Sequence, residues 1–457
     1  MKGENFELEI GQYESETGFE SRYEEIAEKN FKLIRENAHA ESGLFSAVDS
    51  KIDTPASKEN HMSEAWIRDT SWNLISLLET ARNIKEVNPE NKTINDAWKF
   101  IGEDLKKVLV LLNQDRWLGK FKQDVIDNDS FTSLSGEPPE VHMKADGGEC
   151  HWDQNQPESW GEMLIAFGKA KEDGIVEKYS GDEMEVIKAI TEYLVKIKPW
   201  KFEGAGMWEG LPGRSPSSRS NAIAIAKGLD AILPLFQNDQ FFQKNINETI
   251  DQTMNFVRED INTDYTTPSG HKDGADLAML VSMILPETQR TALPFAKYVN
   301  DNGSKLGIGS LPGAIRFIGD DYKAGELGEA RWFMADPVLA TGYFREAKKE
   351  FADGNFEKAK DYEKMANSYL ERALNISKRY CHDPELFPEL FIQRDPNKVK
   401  GQPNVLEMND GAKTVALEPL ERSLIWNSAL VMTAGTLSDS VAKLNVETSA
   451  SRSAKAA

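Results

Sequence analysis

Apolar residues recur along most of this chain at three- and four-residue steps, the spacing that lines one face of an α-helix. In the stretch Ser63 to Ile84, Ile67, Thr70, Leu74, Leu77, Leu78 and Ala81 share such a face. The same period predicts helices over Glu24 to Asn37, Ile94 to Leu112, Ser159 to Lys171, Glu183 to Lys196, Asn221 to Phe236 and Gln240 to Asp260. It continues over Ala275 to Ile284, Glu287 to Asn300, Ala335 to Phe351, Phe356 to Tyr380 and Glu421 to Leu437. The two-residue alternation of a half-buried strand is almost missing, so the expected class is all-α, with about twelve helices. Short polar turns alternate with long connections rich in Gly, Asp and Trp. A dozen helices can build an open solenoid, a cluster of bundles or a closed double ring of six hairpins. No fixed repeat length is visible, which weighs against the solenoid.

No linker interrupts the pattern between Glu20 and Ser440. The expected organisation is a flexible polar segment over residues 1–20, one domain over 21–440 and a disordered Ser/Ala-rich tail over 441–457. Hydrophobic residues make up 40% of the 457, enough for a sizeable core. A formal net charge of −21 argues against nucleic acid or an anionic membrane as partner and favours a neutral ligand. Cys150 and Cys381 are too few and too far apart for a disulfide framework or a zinc motif. The acidic start, Met1 to Glu20, lacks the basic and apolar regions of a signal peptide, and no apolar run reaches membrane-spanning length, so a cytoplasmic protein is expected.

The chemistry concentrates in the long connections. Gly206-Met207-Trp208-Glu209-Gly210-Leu211-Pro212-Gly213 reads as a loop before a helix. A carboxyl next to a large apolar ring is the arrangement that keeps a proton available for donation, although a surface turn with an incidental Glu has the same composition. Seven of the ten tryptophans (Trp66, Trp72, Trp152, Trp160, Trp208, Trp332 and Trp426) sit in or beside such segments, close to Asp, Glu, Arg and Gln. An indole offers a flat apolar face to a sugar ring while polar neighbours take its hydroxyls. Arg68-Asp69 can grip adjacent hydroxyls, or Asp69 can simply cap a helix. His151-Trp152-Asp153-Gln154-Asn155-Gln156-Pro157-Glu158 opens another helix, and Lys272-Asp273 with Asp276 reads as a solvated helix start. Six scattered histidines without His-Glu-x-x-His spacing indicate no metal. There is no Gly-x-Ser-x-Gly elbow and no phosphate-cradling loop, so no cofactor is expected.

Taken in order, Trp66-Ile67-Arg68-Asp69, Trp152 with Gln156 and Glu158, and Trp208-Glu209 resemble landmarks of glycoside hydrolase family 15, the glucoamylases, to which the phosphorylase kinase α/β subunits are distantly similar. Gly313-Ala314-Ile315-Arg316-Phe317 with Asp320-Asp321-Tyr322, Trp332-Phe333, Phe387-Pro388-Glu389-Leu390-Phe391 and Leu424-Ile425-Trp426-Asn427-Ser428-Ala429 continue the series. The matches span residues 43 to 437. The resemblance implies an (α/α)6 barrel and an inverting, exo-acting hydrolase that releases glucose from the non-reducing end of an α-linked oligosaccharide or small glucoside. It gives Glu209 the role of acid and Glu389 that of base, with Glu407 as runner-up. Arg68, Asp69, Trp152, Gln156, Glu158, Trp208, Arg316 and Trp426 would bind the sugar. Gly210 stands where many glucoamylases carry a second Glu, Glu158 replaces an Asp, and Ser269 to Asp273 lacks the Arg of the fungal enzymes. These departures bear on which glucoside is taken. The resemblance to the kinase subunits carries an alternative, a carbohydrate-binding or regulatory protein without catalysis.

Overall fold

In the computed structural model, described residues are 23–46, 65–122, 139, 141–143, 156–202, 207–208, 216–260, 275–318, 330–380, 390–399, 406–410, 413–419 and 425–456. Two kinds of helix stand out. The first is one-sided: in Lys92–Leu112 (α3), Ile94, Ala97, Ile101, Leu105, Val108 and Leu112 are buried at steps of three and four, and the other face is wet. The second is buried nearly all round: in Glu158–Glu172 (α5), every residue from Glu158 to Gly168 is buried. A one-sided stripe belongs to an outer layer and an enclosed helix to an inner one.

The inner layer consists of Ile67–Val87 (α2), α5, Pro216–Ile232 (α7), Leu277–Met283 (α9), Ala335–Ala352 (α11) and Ile425–Ala456 (α14). Each packs on the next in that order, and α14 returns to α2, so the ring closes. The outer layer is Glu24–Glu36 (α1), α3, Gly181–Lys196 (α6), Gln240–Asp260 (α8), Phe295–Asn302 (α10) and Phe356–Tyr380 (α12), each against an inner neighbour. Inner and outer helices alternate along the chain. The fold is an all-α (α/α)6 toroid, as the helix count allows and the family resemblance implies.

Alternation makes the inner helices parallel. Between α14 and α2, Thr433 Oγ1 donates to the carbonyl of Ser76 and Asn83 Nδ2 to Thr436 Oγ1, so both helices advance in the same direction. Between α5 and α7 the order is the same, and the approach is very close. A Cβ on Gly228 would lie 2.2 Å from the carbonyl oxygen of Gly161, and one on Gly168 would lie 2.4 Å from that of Ala231. Only glycine fits such spacings.

Two cations bridge the C-terminal halves of inner helices. Lys227 Nζ, fully buried, donates to the carbonyls of Met283 (2.7 Å) and Leu285 (2.8 Å) and lies 3.1 Å from Glu287 Oε2. Burial lowers its pKa to about 8, against the pull of Glu287. Arg345 grips both oxygens of Glu79 (2.5 and 2.6 Å) and donates to the carbonyl of Ile284. Four inner helices are thereby tied together at one end.

Four local expectations differ from the structure. The helix expected over Glu287 to Asn300 is α10, which begins only at Phe295. Pro286 and Pro294 bracket a turn in which Thr288 N–H bonds Thr291 Oγ1. The helix expected to run to Phe236 passes at Pro234 into a 3₁₀ turn, Leu233–Phe236. Strands are also present. Ala65–Trp66 (β1) pairs with His142–Met143 (β2), and Arg331–Trp332 (β3), Leu390–Arg394 (β4), Leu406–Asp410 (β5) and Lys413–Pro419 (β6) form an antiparallel sheet in the order β3-β4-β6-β5. These strands have two to seven residues, too few for alternation to show. Past Ser440, α14 continues through the Ser/Ala-rich residues where composition suggests disorder; Ala and Lys there are good helix formers.

Gly228→Ala is expected to force α5 and α7 apart and to lower stability by about 1–3 kcal/mol. Thermal melting of the two proteins checks this; an unchanged midpoint would show that the close approach has slack.

Candidate active site

The six inner helices begin on one rim, and several of the residues singled out from the sequence lie there. Arg68 and Asp69 are in the first turn of α2, Gln156 and Glu158 at the start of α5, and Asp276 caps α9. Trp208 precedes α7 and Trp332 precedes α11, while Trp426 is the second residue of α14.

A continuous set of contacts follows the rim. Arg68 Nη1 donates to Gln156 Oε1 (3.1 Å) and to the carbonyl of Met207 (2.9 Å), linking the start of α2 to those of α5 and α7. Its guanidinium lies 5.7 Å from the ring centre of Trp66, which stacks on His142 at 3.9 Å. Next to Met207, Trp208 Nε1 donates to Asp276 Oδ1 (2.8 Å), which also accepts from Ala278 N–H (2.7 Å). Tyr298 Oη in turn accepts from Asp276 N–H. The indoles of Trp208 and Trp332 sit 5.3 Å apart, and the Arg316 guanidinium lies 5.4 Å from the first ring centre and 5.0 Å from the second. Such cation–aromatic contacts hold a planar cation in place without spending its hydrogen-bond donors.

The loop that presents Arg316 is clamped from below. Arg331 donates to the carbonyls of Gly307, Leu311, Pro312 and Gly313. Gly313 takes a left-handed φ of 68°, and its N–H bonds Asp336 Oδ1. Asp336 also holds Arg372 through both oxygens, at 2.5 and 2.9 Å. Trp332 and Ala314 then exchange backbone hydrogen bonds, which fixes the Arg316 loop beside β3.

Two readings of the sequence are corrected. Asp69 does not cap α2; Trp66 holds the cap position, and Asp69 is a buried residue of the first turn. Asp276 is not a solvated helix start but 1% exposed, bonded to both an indole and its own helix. Glu209, Glu389, Trp152, Lys272 and Asp273 lie outside the described residues. Leu390, the residue after Glu389 in sequence, pairs with Trp332. Glu407 is in β5, opposite Ala416, at the far edge of the sheet with β6 and β4 between it and β3. Strands are spaced about 4.8 Å, so β5 stands roughly 14 Å from β3.

Below Arg68, Glu162 escaped the sequence reading because it falls inside an apolar helix. It is 1% exposed, and its Oε1 accepts from Trp72 Nε1 at 3.0 Å. Burial and then the neighbouring Glu158 push its carboxyl well above the usual carboxylate range, Arg68 and Trp72 opposing. Its spacing of four from Glu158 was the one available signal.

No protein-family model and no curated protein sequence matches the chain. Solved structures do. A glucoamylase from Saccharomycopsis fibuligera superposes with a TM-score of 0.62 at 15% identity, over 94% of this chain and 99% of that one. A glycosidase variant in complex with glucose gives 0.56 at 14%, over 92% and 96%. A bacterial glucoamylase complexed with acarbose gives 0.53 at 11%, over 92% of this chain and 56% of that one. The chain has the glucoamylase fold. Among the described residues, no group of three or more His, Cys, Asp or Glu could hold a metal ion, and no helix is long and apolar enough to cross a membrane.

Asp276→Ala is expected to remove both the α9 cap and the Trp208 acceptor, lowering stability by about 1–2 kcal/mol. Tryptophan emission should change with it, and Trp208→Phe should abolish that change. A spectral change that persists without Trp208 would show that the indole does not depend on Asp276.

Proposed function

We propose that the protein is an inverting, exo-acting glycosidase of family 15 type that releases glucose from the non-reducing end of small α-glucosides. The observation that carries this reading is the Trp208–Trp332 contact. Glu209 follows Trp208 in sequence, and Leu390, bonded across to Trp332, follows Glu389. One aromatic pair thus links the neighbours of both carboxyls. Inversion requires the two acids to stand roughly 6.5–9.5 Å apart, with a water held on the face opposite the leaving group. The edge position of Glu407 supports Glu389 as the base instead.

In this reading Glu209 protonates the glycosidic oxygen as the bond to the anomeric carbon breaks. Glu389 accepts a proton from the attacking water, and the product is β-glucose. Directly after Trp208 in sequence, Glu209 would be helped to keep its proton by the apolar surface of the indole. Arg68 and Asp69 hold hydroxyls in the innermost subsite, with Gln156 and Glu158 beside them. Trp152, Trp208 and Trp426 supply apolar walls, and Arg316 faces the next sugar. The reaction needs no cofactor.

Glucose release from a panel of α-glucosides, with the anomer followed by NMR in the first minutes, tests the proposal. β-Glucose is expected. Folded protein that binds sugars without releasing glucose would favour the carbohydrate-binding or regulatory alternative. Glu209→Gln should reduce kcat by about 10²–10⁴-fold. Glu389→Gln should be similarly impaired and Glu407→Gln mild; the reverse pattern would move the base to Glu407.

A further inference from the structure

Residues 307–313 wrap around one buried side chain. Arg331 Nε donates to the carbonyl of Pro312 (2.8 Å), and Nη2 donates to those of Gly307 (2.7 Å), Leu311 (3.3 Å) and Gly313 (2.7 Å). Carbonyls turned inward in this way need a donor at the centre of the loop. The fit is close: a Cβ on Gly307, whose φ is +64°, would lie 2.9 Å from Arg331 Nη1. The residues that follow carry Arg316. Ala314 pairs with Trp332, the carbonyl of Arg316 accepts from Leu277 N–H at 2.8 Å, and its guanidinium lies against the indoles of Trp208 and Trp332. Arg331 and Trp332 are adjacent in β3, so their side chains leave opposite faces of the strand. One dipeptide therefore holds the loop on one face and the Arg316 guanidinium on the other.

We propose that Arg331 is a positioning residue for Arg316 and, through it, sets how tightly the second sugar of the glucoside is held. This rests on the sugar-pocket reading above. Two nitrogens of the guanidinium serve separate carbonyls, a division that the single amine of a lysine cannot reproduce. Without that fork the loop relaxes at Gly307 and Gly313, both in left-handed conformations, and Arg316 is no longer fixed before the sugar arrives. A second clamp bears on the same loop from α12: Arg372 donates to the carbonyl of Gly309 and to Asp336, which accepts from Gly313 N–H. The innermost subsite proposed around Arg68 and Asp69 stands on α2, another part of the ring, so the effect is confined to the second sugar.

The test compares glucose with maltose, isomaltose and trehalose by calorimetry, in a Glu209→Gln background that leaves the disaccharides uncut. Arg331→Lys should weaken the best disaccharide by about tenfold, the size of one lost charged hydrogen bond, and leave glucose within about twofold. Arg316→Met should lose the same preference, and the double variant should lose less than about twofold more. Gly307→Ala, which crowds Nη1 from the loop side, should act in the same direction and serves if the lysine variant does not fold. Hydrogen exchange at the Ala314 and Trp332 amides, measured without sugar, should be faster in Arg331→Lys. Unchanged exchange would overturn the clamp itself. An unchanged ratio of disaccharide to glucose affinity would overturn the proposal, and so would a loss that adds in full to that of Arg316→Met. These results leave the sugar pocket standing. A parent protein that binds no sugar would remove the pocket, and the proposal with it.

Discussion

Ring closure is the constraint from which the rest follows. Because inner and outer helices alternate along the chain, each outer helix returns it to the same rim and every inner helix runs in the same direction, and α14 packing back on α2 closes the ring. Six helix starts therefore meet in one place. Residues 68, 156, 208, 276, 332 and 426 are far apart in sequence but all stand at or just before an inner helix. The contacts from Arg68 to Gln156 and Met207, and from Trp208 to Asp276 and Trp332, then visit the helix starts in ring order. The site is a consequence of topology before it is one of any single residue.

Much of this was legible in the sequence, for a physical reason. Each of the twelve helices inferred from periodicity has a counterpart, because burial at three- and four-residue steps is enforced wherever a helix meets a core. Arg68, Gln156 and Trp208 were recognisable because polar and aromatic residues stand out in Gly-rich connections. What failed was local or enclosed. Pro286 and Pro294 displaced α10, and strands of two to seven residues carried too little pattern. Glu162 was invisible because α5 is buried on all sides, so no polar face marks it. Asp276 was misread because it was grouped with the polar Lys272 and Asp273, whereas its partners Trp208 and Tyr298 are remote in the chain. The Gly161–Gly228 approach likewise involves two helices and has no one-helix signature.

The parallel ring also sorts charge. Helix N-termini carry partial positive charge and C-termini partial negative charge, each worth about 0.3–1 kcal/mol to a well-placed ion. At the starts of inner helices stand Asp69, Glu158, Asp276 and Asp336; at the opposite end stand Lys227 and Arg345. Acidic side chains at the starts of the inner helices and cations in their C-terminal halves are thus the arrangement that the backbone itself favours.

That bias suits only half of a two-carboxyl mechanism. Helix starts favour ionised carboxylates, which is what a base activating water needs. An acid must resist the same field and keep its proton, and the means available are burial, apolar contact and a second negative charge nearby. Glu162 shows these means at work one turn below the rim: it is buried, faces Glu158 and receives an indole hydrogen bond at only one oxygen. In the proposed mechanism Trp208 would offer Glu209 a comparable apolar shelter. Its indole N–H is already committed to Asp276, so it turns carbon surface, not a donor, toward its other neighbours. If that donor were instead available to Glu209, it would favour the carboxylate and weaken the acid. The Trp208–Asp276 bond therefore matters to the proposed chemistry as much as to the cap of α9.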